Sequence, residues 1–174
     1  MLYLTIAEQL QLPIYGLTLP THMLVVWKDE NTEIYWETTE GQVRSKAFYV
    51  EKYAIAAEQV GENMILNPLK KKDLLAVICF NIGKAYSDKN IFEEAIRYTR
   101  QAIELRKDWS NPYSTMATVY RNMELPENAL YYSNQALQRF DKDIESYKTM
   151  TWAYTFLGCN TEAEEAFGRY LELQ

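Results

Sequence analysis

The chain has 174 residues, 48% of them apolar, which suits one ordinary domain or two small modules and is too apolar for a disordered chain. Its 18 Lys and Arg against 24 Asp and Glu leave a net charge of -6, spread along the chain, so the basic footprint of a nucleic-acid binder is absent. There is no run of 18 apolar residues to span a membrane, and two cysteines are too few for a disulfide scaffold or a zinc site. The N-terminal stretch lacks a basic leader and carries Glu8 early, so it is not read as a signal peptide. No metal or other cofactor is expected.

The pattern predicts a helix over Leu2 to Leu12, with Leu2, Leu4, Ile6 and Leu10 on or near one face and Pro13 ending it. Ile14 to Thr18 reads as a short strand. His22 to Trp27 and Glu33 to Trp36 read as the arms of a β-hairpin. With a two-residue turn at Asp29-Glu30, His22 would face Glu37 directly. A loop two residues longer would move its partner to Thr39 and leave Glu37 on the diagonal. Either register brings an imidazole and a carboxylate to one end of the sheet. Ser45 is placed to cap a helix from Lys46, and a further helical piece is expected to run to Val60. Gly61 to Asn63 would break it, and Met64-Ile65-Leu66 is a candidate edge strand. Asn67-Pro68 would open a long helix, with Lys70-Lys71-Lys72 at its solvated start.

From Ala76 onward the sequence repeats every 34 residues, in units 76–109, 110–143 and 144–174. Ile82, Met116 and Met150 form one column, and Gly83, Ala117 and Thr151 stay small beside them. Tyr86, Tyr120 and Tyr154 form a third column, and Ala95, Ala129 and Ala163 a fourth. Small residues at fixed places let two antiparallel helices per unit approach closely. These columns resemble the tetratricopeptide repeat, whose period this is. The resemblance implies stacked helical hairpins forming an α-solenoid. The fold class expected is therefore α+β, mostly α, with a small helix-plus-sheet module over 1–69 and a repeat array over 70–174. The family usually adds a polar capping helix, so Phe167, Tyr170 and Leu171 are expected to need cover from a partner or a second copy.

In this family, helix A residues at places two, five, nine and twelve of each unit line an inner groove. They are Val77, Phe80, Lys84 and Ser87, then Asn111, Ser114, Thr118 and Arg121, then Glu145, Lys148, Trp152 and Thr155. Phe80, Lys84, Thr118, Arg121, Lys148 and Trp152 are the candidate contacts to a protein or peptide partner. The Lys-then-Asn pair of carboxylate-clamping members is missing from the first helix.

The helix before Leu12-Pro13-Ile14-Tyr15-Gly16, the Pro20-Thr21-His22 strand start, and Trp36-Glu37-Thr38-Thr39-Glu40-Gly41 resemble the transglutaminase-like, papain-like superfamily over about residues 2–70. That resemblance implies a Cys nucleophile at the helix start, a His opening the next strand and an Asp or other polar residue ending the one after. His22 and Glu37 match the last two roles, and Leu2 and its neighbours include no cysteine. Cys79 falls within a repeat helix and Cys159 in a repeat turn. The function expected is protein–protein interaction in the cytoplasm, with a non-catalytic transglutaminase-like remnant. The alternative is a fragment of a cysteine peptidase or acyltransferase whose nucleophile lies upstream.

Overall fold

The first helix, α1 (Leu2–Gln9), ends earlier than Pro13 requires. Gln11 takes a positive φ of 52°, and the Leu12 amide donates to Ala7 O at 2.8 Å, which closes the helix with a left-handed turn. Its buried side chains are Leu4 and Ala7, whereas Leu2, Ile6 and Leu10 are exposed, so the expected apolar stripe is not its packing face. The computed structural model describes residues 2–19, 22–55 and 66–174, which fall into two units, Met1–Leu75 and Ala76–Gln174. The readings for 56–65, including the end of the second helical piece, its break and most of the Met64–Leu66 strand, lie outside the described residues.

In the first unit, β1 (Ile14–Leu19), β2 (His22–Lys28), β3 (Glu33–Glu37) and β4 (Gln42–Arg44) form an antiparallel meander in chain order. Lys28 pairs with Glu33, so the hairpin loop is the longer of the two expected. Asp29 builds it: one carboxylate oxygen accepts the amides of Asn31 and Thr32, at 3.0 and 2.8 Å. Strand β4 was not foreseen, since three residues with one apolar side chain carry no strand period. Gly41 turns the chain into it at φ 67°.

Side chains alternate across the sheet, and Leu17, Leu19, Leu24, Val26 and Tyr35 share one face. They form the core with Tyr49, Ile55 and Leu66. Tyr49 belongs to α2 (Lys46–Lys52), whose N-cap Ser45 accepts the Phe48 amide at 3.1 Å, as the sequence predicts. On the outer edge of β1, Gly16 exchanges two backbone hydrogen bonds with Leu69. The long helix therefore starts after that bridge, at Lys71, and not at Asn67-Pro68.

The long helix α3 (Lys71–Asp88) crosses from the first unit into the second. It pairs with α4 (Phe92–Leu105); α5 (Ser110–Asn122) pairs with α6 (Pro126–Leu137), and α7 (Ile144–Leu157) with α8 (Asn160–Glu172). The three hairpin turns are the same device at 34-residue spacing. Asn90, Glu124 and Gly158 take φ of 58°, 57° and 75°. The amides after them, of Ile91, Leu125 and Cys159, donate to the carbonyls of Tyr86, Tyr120 and Tyr154.

The small column works as expected. A Cβ on Gly83 would lie 2.5 Å from Thr99 Oγ1, and Ala95, Ala102, Ala117, Ala129 and Ala136 are fully buried. Tyrosines fill the rest: Tyr86 stacks on Tyr98 and Tyr120 on Tyr132, with ring centres 5.8 and 5.3 Å apart. No proline closes each unit, and Arg139 takes over that linker instead. Its Nε donates to Lys107 O at 2.6 Å, Nη2 donates to Tyr113 Oη at 3.0 Å, and the guanidinium sits 3.8 Å from the Tyr113 ring centre. Phe167 and Leu171 are exposed and Tyr170 is half-buried.

Candidate functional site

Two constellations stand out, one in each unit. In the first, His22 opens β2 and Glu37 closes β3. The register extended from Lys28–Glu33 puts Glu37 beside Leu24 and Thr39 beside His22, so the two side chains meet on the diagonal of the core face. His22 Nε2 is 2.5 Å from Glu37 Oε2. The Glu37 side chain is 9% exposed and that of His22 29%. The Thr39 amide donates to Glu37 Oε1 at 2.9 Å, a contact with no signature in the sequence beyond its two-residue spacing. Burial pushes the Glu37 carboxyl up, but the Thr39 amide and His22 outweigh it and hold it below its ordinary value. The carboxylate thus orients the ring through Nε2 and leaves Nδ1 as the nitrogen for a further partner.

Both cysteines belong to the second unit. Cys79 is half-buried in α3, its thiol is pushed up by burial, and its Sγ lies 3.8 Å from Gln101 Oε1. A raised thiol is the opposite of an activated one. Cys159 stands at the N-cap of α8.

The second constellation is the helix A face of the repeats. Arg121 of α5 reaches across to α7, donating to Glu145 Oε1 at 3.1 Å and Thr149 Oγ1 at 3.3 Å. Lys148 donates to the other Glu145 oxygen at 3.3 Å. One carboxylate therefore holds two of the three candidate cations, and the third, Lys84, pairs with Asp88 at 3.4 Å. Trp152 is half-buried, with its ring centre 5.3 Å from that of Phe156, and Phe80 packs on Trp109 at 4.7 Å. Thr118 is half-buried between these groups in the repeat register. Val77, Ser87 and Ser114 are buried, so they line the packing interior and not an open groove. Ser114 Oγ donates to Asp143, the N-cap of α7, at 3.0 Å. The sequence reading missed Phe156, whose signal was its place one turn after Trp152.

Residues 1–124 match the transglutaminase-like superfamily. The chain belongs to that superfamily. The match continues past residue 70, where the sequence resemblance ends, through the first repeat and the A helix of the second. Among the curated proteins, none matches this transglutaminase-like chain. Its structure is similar to the tetratricopeptide domain of Arabidopsis OM64 (TM-score 0.58, 18% identity, covering 59% of this chain and 85% of that one). It is also similar to the second tetratricopeptide domain of Spaghetti (RPAP3) bound to the HSP90 peptide SRMEEVD (TM-score 0.57, 21% identity, 60% and 96% covered). A third likeness is to MamA (TM-score 0.54, 23% identity, 58% and 59% covered). These likenesses establish the repeat fold that the 34-residue columns predict. No helix among the described residues is long and apolar enough to cross a membrane.

Proposed function

We propose that this transglutaminase-like chain is a protein-interaction module that binds a peptide or protein partner through the helix A face of its repeats. We assign residues 70–174 to the binding array and 1–69 to a transglutaminase-like module in which His22 and Glu37 are a non-catalytic remnant. The observation that carries the reading is the Arg121–Glu145–Lys148 cluster, with the half-buried Trp152 one helical turn after Lys148 on α7. Cations and an aromatic residue on one helix face are a combination suited to a recognition hot spot. The Spaghetti domain, with its bound acidic peptide, supports the same use of the fold. Cytoplasmic residence fits an adaptor of this kind. Selection from a displayed peptide library tests it: selected peptides are expected to bind the native chain and to lose about tenfold or more with Trp152→Ala. Unchanged binding removes this face as the site.

One observation favours a second reading, a cysteine peptidase or acyltransferase fragment: the 2.5 Å contact that orients His22 as a base. Its nucleophile would lie upstream, so a longer chain that carries a cysteine there, acylated by an activated ester and losing that acylation with His22→Ala, would support it over the first.

A further inference from the structure

The third repeat breaks a pattern that the first two keep. In those, a tyrosine of helix B stacks on the column tyrosine of helix A: Tyr98 on Tyr86, with planes 5° apart, and Tyr132 on Tyr120, with planes 14° apart. The 34-residue register puts Ala166 at that place in the third unit, beside Tyr154. A cavity of about 190 Å³ opens there, lined among others by Met150, Tyr154, Glu162, Glu165, Ala166 and Arg169. Met116 is fully buried, whereas Met150, its equivalent, is only half-buried.

The cavity is smaller than the roughly 300 Å³ at which small-molecule sites begin, so it suits one side chain. Its walls offer a tyrosine face and a thioether, both good surfaces for a ring. Its rim is acidic. Glu162 and Glu165 stand on it; Arg169, the one cation there, is neutralised by Glu172 at 2.6 Å and sits 5.9 Å from the centre of the Tyr147 ring that also lines the cavity. We propose that this cavity binds an aromatic side chain of a peptide partner, flanked by lysine or arginine, with the ring stacked on Tyr154. A second copy of the chain is a poorer occupant, because α8 itself carries four glutamates against one arginine and like charges would meet. The site is distinct from the proposed groove. At about 100° per residue, Met150 and Tyr154 point away from Lys148 and Trp152 on α7.

The test titrates the whole chain calorimetrically with three blocked tripeptides, Lys-Tyr-Lys, Lys-Ala-Lys and Glu-Tyr-Glu. Lys-Tyr-Lys is expected to saturate and the other two to bind at least about tenfold more weakly. Ala166→Tyr supplies the missing ring from within and is expected to abolish Lys-Tyr-Lys binding with an unchanged or higher Tm. A Glu162→Lys, Glu165→Lys double variant, which leaves the cavity floor intact, is expected to weaken it by about tenfold. The proposal is overturned if Lys-Tyr-Lys does not saturate, if Lys-Ala-Lys binds as well, or if folded Ala166→Tyr protein still binds. It is also overturned if Trp152→Ala weakens the binding as much as Ala166→Tyr does, which would place the peptide in the groove. A light-scattering dimer that Ala166→Tyr converts to monomer would give the cavity to a second copy and overturn it too.

Discussion

His22 and Glu37 meet on a diagonal of the β2–β3 pair, Nε2 to Oε2 at 2.5 Å, and not across it. The four-residue loop decides this. Had Lys28 paired with Asn31, Glu37 would stand directly opposite the imidazole. The diagonal leaves the carboxylate's other oxygen to the Thr39 amide, so Glu37 is held from both sides in the core face of the sheet.

That double anchorage makes stability depend on pH. The folded Glu37 carboxyl lies below its ordinary value, which an unfolded chain restores to about 4.3. Its contribution is therefore fully present above that value and is lost as pH falls through the lower folded one. Glu37→Gln is expected to cost about 1.5 kcal/mol at neutral pH and to flatten the loss of stability in acid. Urea unfolding of both proteins between pH 7 and pH 3 measures it, and parallel pH curves would contradict it.

Gly83 has no room for a methyl group. Its added Cβ would meet Thr99 Oγ1 at 2.5 Å and the Thr99 backbone nitrogen at 2.9 Å, and a helix backbone moves far less readily than a side chain. Gly83→Ala is expected to destabilise by about 1–3 kcal/mol despite alanine's better helix propensity. Thermal unfolding would show it as a lower Tm. A Tm that rises would mean that α3 and α4 can separate freely.

Glu124 occupies a left-handed position at φ 57° that its counterpart Gly158 fills without strain. Glu124→Gly is expected to stabilise by about 1 kcal/mol, because relief of the left-handed penalty outweighs the added freedom of the unfolded chain. Denaturant midpoints compare the two proteins directly, and a lower midpoint for the glycine variant would refute the assignment of strain.

Glu145 neutralises Arg121 and Lys148 and contributes little to stability. Its pairs with Arg121 and Lys148 are partly solvent-exposed, and such pairs contribute about 0–1 kcal/mol. Glu145→Gln is expected to change unfolding stability by less than about 1 kcal/mol while strengthening binding of acidic peptides at low salt. Titration of an acidic peptide from the library selection at two salt concentrations checks this, and equal binding by both proteins would show that the cations are already free.

The repeats were legible because identity recurred at one spacing. Ala95, Ala129 and Ala163 are each buried at the same place in helix B, so a single physical demand, room for helix A to approach, is written three times. The first unit offers no such redundancy. The exposed Leu2, Ile6 and Leu10 misled the reading of α1, because an eight-residue helix packs by whichever side the sheet covers, here Leu4 and Ala7. Strand β4 was invisible, since its pairing comes from β3 and not from its own residues. Of the sites, His22 and Glu37 could be paired from hairpin arithmetic, but choosing between two registers required the Asp29 loop. The hold of Glu145 on Arg121 joins residues 24 apart in different repeats, and side-chain reach across helices leaves no periodic trace.

Arg139 has a consequence for how the array comes apart. Rooted at the end of the second hairpin, it grips the carbonyl of Lys107 in the linker that follows the first, and Tyr113 donates to the same carbonyl at 3.1 Å. In a linear array, stability divides between each unit's own folding and the coupling to its neighbour. A guanidinium shared by a linker and the next hairpin adds to the coupling share. The first two hairpins should then exchange their amide protons as one cooperative block.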